Sequence, residues 1–311
     1  MYVSLPRTFR GTLRAVFRYQ WKNLLITFFY ACFVFILYEL ADEKLVSIGS
    51  APISILGVAL SIFLGFRNNW AYDRWWEARK IWGGIINDSR SFAMQVLTLI
   101  DKHHMKNEVS DDDVHQVQRL FIYRHLAWIN ALRLQLREQT AWEDLRIFLP
   151  NAEFIALPDQ VNKATQINLQ QAKQLNEVYK TGLTNDFRHI EIMQSLKEFY
   201  NLQGKCERIK KTPFIRYYDL LTRVFLWIFI VLLPFGLLEN VGIATIPLTM
   251  TIAFAFSIIE QTGRYTENPF DNSPNDIPLT SMCNTIERDL RQMLGETELP
   301  DATQAVNGVM W

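Results

Sequence analysis

The stretch APISILGVALSIFLGFRNNWAYDRWWEAR, residues 51–79, decides how this chain is read. Its first sixteen residues, Ala51 to Phe66, carry no charge, and the next thirteen are crowded with Arg67, Asp73, Arg74, Glu77 and Arg79 among tryptophans. A helix needs about 20 mostly apolar residues to cross ~30 Å of hydrocarbon, and aromatic side chains at the headgroup level extend a shorter run. Trp70, Trp75 and Trp76 do so here. Two ladders with a four-residue period lie side by side on this segment. Gly57, Ser61 and Gly65 form a small-residue face that lets another helix backbone approach closely, and Val58, Ile62 and Phe66 form a row of larger apolar side chains next to it.

Three more apolar stretches resemble the first: Leu24 to Leu40, Val224 to Leu238 and Val241 to Ile258. The four hold one formal charge between them, Glu39, although 21% of the 311 residues are charged. They come in two pairs, the second separated only by Glu239 and Asn240, which reads as a tight helical hairpin. Four transmembrane helices are therefore expected. Basic residues beside spans stay on the cytoplasmic side. They cluster before the first stretch (Arg7, Arg10, Arg14, Arg18, Lys22), after the second, before the third (Lys205 to Arg223) and after the fourth (Arg264). Lys44 is the only base in either outward connection. Both termini and the central segment are placed in the cytoplasm by this pattern.

The division that follows is a cytoplasmic N-terminal segment at 1–23, transmembrane helices at 24–66, a cytoplasmic helical region at 67–223, transmembrane helices at 224–258 and a cytoplasmic C-terminal segment at 259–311. The central region reads as helical. Ser110 to Asp113 resembles a helix start, and Val114, Val117, Leu120, Phe121, Trp128, Ala131 and Leu132 follow at helical spacing. A second pattern runs through Ile190, Met193, Leu196, Phe199 and Cys206, a polar helix is expected over Asn162 to Leu183, and Leu149-Pro150 and Leu157-Pro158 mark breaks. No sustained alternation suggests a sheet. The fold class is an all-α membrane protein with long cytoplasmic helices continuing from the spans.

The 32 basic and 32 acidic residues cancel, so no nucleic-acid partner held by bulk charge is expected. Cys32, Cys206 and Cys283 are widely separated and give neither a disulfide frame nor a zinc spacing. Asp101, His103 and His104, and Asp111 to Asp113 beside His115, concentrate acids and imidazoles without metal-ligand spacing and read as solvated charge. Phosphate-binding, dinucleotide, hydrolase and zinc-protease motifs are absent, so neither an enzyme nor a cofactor is expected.

The 51–79 segment resembles the prokaryotic branch of the bestrophin family, and further matches follow in order. These are Cys206-Glu207-Arg208-Ile209 with Thr212-Pro213, Leu233-Pro234-Phe235, Glu267-Asn268-Pro269-Phe270, Asn275-Asp276 and Pro278-Leu279. The resemblance implies a homopentameric ion channel in a bacterial inner membrane, with four membrane helices per subunit around one central pore and monovalent ions as its cargo. It implies a hydrophobic neck at Val58, Ile62 and Phe66, the ladder already found from spacing, and a cytoplasmic aperture at Phe214. The second proline usual near the aperture is replaced by Ile215. Neither constriction carries an ionisable side chain, so the neck acts as a dewetting gate and the sign of the permeant ion, sodium-like or chloride-like, stays open. After Asn268-Pro269-Phe270 only Asp271 and Asp276 remain of an acidic run, too few for high-affinity calcium, and both suit turn formation and helix capping. The alternative from another class is a membrane-anchored sensor or interaction protein using its cytoplasmic helices.

Overall fold

The computed structural model describes residues 9–40, 48–102, 109–212, 216–306 and 308–311. Nine α-helices are found among them: α1 Phe9–Leu40, α2 Ser50–Leu99, α3 Asp111–Leu136, α4 Asn151–Ala156, α5 Lys163–Thr181, α6 Asp186–Lys211, α7 Arg216–Val241, α8 Thr245–Thr266 and α9 Leu279–Met293. Short 3₁₀ turns occupy Trp142–Leu145 and Gly242–Ala244. The one β-type pairing among the described residues is an isolated bridge between Val306 and Val309. The all-helical expectation agrees with this.

The described residues form two compact units, one of 9–40, 48–75 and 216–268, the other of 76–102, 109–212, 269–306 and 308–311. Residues 67–75, 216–223 and 259–268, which the charge pattern alone assigns to the cytoplasmic segments, fold with the apolar helices. The reason is that α2, α7 and α8 run past the ends of their apolar stretches without a break.

Among the described residues, three stretches are long and apolar enough to cross a membrane: Gln20–Leu40, Ser50–Leu99 and Tyr217–Thr266. At ~1.5 Å per residue α2 is about 75 Å long, more than twice the hydrocarbon thickness. Pro52 lies in its first turn, where a missing N–H costs nothing. The last stretch contains the expected hairpin, but the turn falls at Gly242–Ala244 instead of Glu239-Asn240. Glu239 and Asn240 are compatible with helix, whereas Gly242 takes φ +52°, the left-handed region that glycine enters without steric cost. The two arms then pack together, with the rings of Phe229 and Phe256 4.9 Å apart.

The core of the first unit is built from Ile53, Leu60 and Leu64 of α2, Leu226, Phe229, Ile230 and Leu233 of α7, and Ala253 of α8. The seven- and four-residue spacings on α2 keep these side chains on one face. Glycines bring the backbones close: a Cβ at Gly236 would collide with the Ile53 side chain, and one at Gly57 would stand 3.0 Å from the Phe229 ring. α1 is fastened by Gln20, whose Nε2 donates to Gln261 Oε1 at 2.6 Å, and by Tyr30, whose hydroxyl donates to the Val231 carbonyl at 2.8 Å.

The other unit is built around α3, α5 and α6. Ser110 Oγ accepts from Asp113 N at 3.1 Å, Asn162 Oδ1 from Thr165 N at 3.0 Å and Asn185 Oδ1 from Arg188 N at 3.1 Å, so each helix begins where a short polar side chain satisfies a backbone donor. The α5 helix ends at Gly182 with φ +83°. Pro150 precedes α4 and Leu157-Pro158 follows it, as the two proline breaks imply. On α6 the inward face is Ile192, Leu196, Phe199 and Cys206. Ile190, placed on that face by spacing, is exposed, because 192, 196, 199 and 206 continue the helical repeat and 190 does not. At the centre His125 Nε2 lies 2.9 Å from Ser89 Oγ among Phe92, Trp128 and Phe199. Ser89 spends its proton on the Ile85 carbonyl at 2.6 Å, so the imidazole is the donor. Burial drives the His125 pKa down to about 3, leaving the ring neutral.

Candidate pore-lining helix and its buried charge cluster

The two faces of α2 differ sharply. Ile53, Leu60, Leu64 and Arg67 are buried, while Val58, Ile62 and Phe66 are 62%, 55% and 54% exposed. The sequence-derived ladder therefore stands as a row of large apolar side chains that the described residues leave more than half exposed. The small-residue ladder divides: Gly57 is taken up by Phe229 of α7, whereas Ser61 is exposed and Gly65 has open space where a Cβ would be. Ser61 Oγ donates to the Gly57 carbonyl at 2.8 Å, which satisfies its hydroxyl within the helix. Phe214 lies outside the described residues, as do His103 and His104.

Directly after the last ladder residue, Phe66, stands a feature that spacing does not reveal. Arg67 is 1% exposed and reaches three acids on α7, on α8 and just after α8. Its Nη2 lies 2.6 Å from Asp219 Oδ1 and 3.4 Å from Glu267 Oε2, and its Nη1 lies 3.5 Å from Glu260 Oε1 while donating to the Glu260 carbonyl at 3.0 Å. Arg223 closes on Asp219 and Arg264 on Glu260, each one helical turn away. Three guanidiniums and three carboxylates thus balance. Burial raises the pKa of Glu267, with Arg67 opposing the shift. A buried charge is tolerable only when paired and hydrogen-bonded, which this arrangement supplies.

Beside it Asn68 Nδ2 donates to the Ile259 carbonyl at 3.0 Å, and its Oδ1 packs directly on Gly263. The signal for the cluster was present in the i, i+4 pairs Asp219/Arg223 and Glu260/Arg264. It was read as positive flanking charge because Glu260 lies two residues beyond the apolar run ending at Ile258.

The remaining sequence candidates have local roles. Asp101 pairs with Arg188 at 2.8 Å, and Asp113, in the first turn of α3, accepts from the hydroxyl of the capping Ser110 at 2.8 Å. His115 Nε2 lies 3.3 Å from the Leu294 carbonyl. Asp271 pairs with Lys210 at 2.9 Å. Asp276 accepts from Ser273 N at 2.8 Å and from its hydroxyl, forming a turn; burial raises its pKa, with Ser273 opposing. Neither acid caps α9, whose N-cap is Pro278. Cys206 and Cys283 are buried thiols, the latter pushed up to about 12 by burial.

A helical bundle with long apolar helices, an uncovered apolar ladder and a buried charge cluster at its foot defines a membrane protein. The family described as Bacterial/Fungal Bestrophin protein matches residues 3–292. The chain belongs to the bestrophin family. It is 34% identical over 260 residues to a voltage-dependent anion channel-forming protein of Ralstonia nicotianae, covering 84% of this chain and 82% of the relative. A protein of the same description from Escherichia coli is 31% identical over 279 residues, 90% of this chain and 88% of the relative. The crystal structure of a bacterial bestrophin homolog from Klebsiella pneumoniae superposes with a TM-score of 0.80 at 29% identity, covering 88% of this chain and 98% of the other.

Proposed function

We propose that the chain assembles as a homopentameric ion channel of a bacterial inner membrane, each subunit contributing four transmembrane helices, with both termini and residues 67–223 and 259–311 in the cytoplasm. Val58, Ile62 and Phe66 line a hydrophobic neck on the axis, and Phe214 marks a cytoplasmic aperture. The observation that carries this reading is the exposure of all three ladder residues on a helix whose opposite face is fully packed. Large apolar side chains left uncovered in a single chain call for a partner surface or a special environment. Five copies around an axis would turn the row into stacked rings.

Such rings hold water poorly when narrow and pass hydrated ions when wide, so they gate without charge. Ser61 and Gly65, small and exposed beside the ladder, suit close contact between subunits. The relatives from Ralstonia nicotianae and Escherichia coli are described as anion channel-forming proteins, which favours an anion as cargo. The neck's own chemistry is neutral towards sign, and the cargo is a small monovalent ion.

Purified protein in planar bilayers should give ion currents, and Ile62→Ala or Phe66→Ala should raise them several-fold by widening the neck. Reversal potentials in asymmetric sodium chloride then give the sign of the permeant ion. Silence from well-folded wild type and from both variants would overturn the channel reading.

A further inference from the structure

A cavity of about 270 Å³ opens between α1, α7 and α8, away from the exposed ladder. Its lining combines two guanidiniums, Arg223 and Arg264, with the side chains of Gln20, Asn23 and Ser257 and the ring of Trp227. Both guanidiniums are nearly half exposed, so each pairs with its acid on one side and presents free edges to the cavity. Glu260 also lines it, but its carboxylate is claimed by Arg264 and Arg67 and is 7% exposed. The accessible charge is therefore positive.

The position along the helices is informative. Asn23 directly precedes the apolar run that begins at Leu24, Arg223 directly precedes the run that begins at Val224, and Arg264 follows the run that ends at Ile258. The Gln20 to Gln261 hydrogen bond sets α1 and α8 level at this depth. Trp227, 48% exposed, and Trp21, 49% exposed, supply amphipathic rings of the type found at headgroup level. Basic pockets between membrane helices on the cationic flank suit anionic headgroups, and guanidinium forks match phosphate oxygens geometrically. Amide and hydroxyl groups on the walls can satisfy the remaining oxygens.

We propose that this cavity takes the phosphate group of an anionic ligand, either an acidic phospholipid in the surrounding leaflet or a free phosphate in solution. The inference does not depend on conduction, and its test reads binding without current, so the failure of one leaves the other standing.

The full chain is exchanged into vesicles of equal parts phosphatidylcholine and phosphatidylglycerol, and retained lipid is counted by native mass spectrometry. Two variants are compared with wild type. Arg264→Gln removes one fork, and Ser257→Leu fills the cavity while leaving every ion pair in place. Preferential retention of phosphatidylglycerol by wild type, weakened about fivefold in each variant, the scale of one basic contact at an anionic surface, supports the lipid source. Inorganic phosphate that raises the thermal midpoint of wild type but not of Ser257→Leu supports the soluble source. Equal lipid retention by all three proteins together with no effect of phosphate overturns the proposal. Loss confined to Arg264→Gln also overturns it, because the lipid would then be held by an exposed guanidinium outside the cavity.

Discussion

Asn68 fills the space in which a side chain on Gly263 would have to stand. Its Oδ1 sits well inside the 3.0 Å that a Cβ tolerates, and its Nδ2 is committed to the Ile259 carbonyl one turn earlier on the same helix. Gly263→Ala should therefore destabilise the protein by about 1–3 kcal/mol, the usual cost of forcing an extra carbon into a packed contact. Thermal unfolding in detergent would measure it. Asn68→Ala combined with Gly263→Ala should recover most of the loss, and strictly additive losses would show that some other neighbour opposes the methyl group.

Removing the guanidinium at the centre of the buried cluster takes the shared partner from three acids, of which Asp219 and Glu260 keep Arg223 and Arg264 while Glu267 loses its ion pair. Arg67→Met is expected to cost about 3–5 kcal/mol, the range for breaking a buried ion pair from one side. Adding Glu267→Gln to Arg67→Met should be milder than Arg67→Met alone, since Glu267 is the acid whose ion pair the first change removes and its uncompensated charge then disappears. Chemical unfolding of the single and double variants in detergent checks the ordering. A double variant worse than either single one would mean that the cluster is not held together by charge.

If the ladder lines a pore, a charge placed on it should set the sign of the current. Ile62→Glu is expected to move the reversal potential in asymmetric sodium chloride towards the cation limit, and Ile62→Lys towards the anion limit. Identical reversal potentials in wild type and both variants would remove Ile62 from the conduction path.

Gly65 offers a separate test of assembly, because a methyl group there meets nothing in its own chain. Gly65→Ala should leave the unfolding midpoint of the dissociated subunit unchanged within about 0.5 kcal/mol, as for a surface substitution away from special features. The same change should weaken the oligomer seen by native mass spectrometry. An unaffected oligomer would place the small-residue face against lipid.

His125 supplies a pH dependence with a defined sign. Its folded pKa, about 3, lies below the ordinary 6.5, so the unfolded chain takes up the proton first as the solution is acidified. The stability held by the neutral ring is complete above pH 6.5 and drains away as pH falls towards about 3, at up to about 1.4 kcal/mol per pH unit. His125→Phe keeps an aromatic ring among Phe92, Trp128 and Phe199 and loses the titration. The difference in thermal midpoint between wild type and this variant should change across that window and be flat above it; a constant difference at every pH would contradict the buried neutral imidazole.

Helix positions were legible where one residue type controls them. Asn162 and Ser110 announce their helices because a short polar side chain can accept a backbone N–H, and Pro150 and Pro158 bound α4 because proline cannot continue a helix. The turn of the hairpin was misplaced because Glu239 and Asn240 interrupt hydrophobicity without interrupting helix, while the residue that turns the backbone is Gly242. The apolar ladder could be found from spacing, since exposure and burial on a helix repeat with its period. The Arg67 cluster could not, because its members lie on helices separated by some two hundred residues and their spacing within each helix is that of any surface ion pair. Spacing marks Gly57 as a place where another helix can approach closely, and only the packed helices reveal that the neighbour is Phe229 of the same chain.

The long reach of these contacts sets an order of events during synthesis. Glu260 follows Arg67 by 193 residues, and Gln261 follows Gln20 by 241. At roughly 5–20 residues per second, about 10–40 s pass between the emergence of the arginine and that of its acid. The N-terminal pair of apolar helices must therefore wait in a provisional state until the hairpin arrives to complete it. A chain interrupted anywhere between Trp75 and Tyr217 would leave that pair permanently unfinished, and such fragments should be prime substrates for membrane quality control.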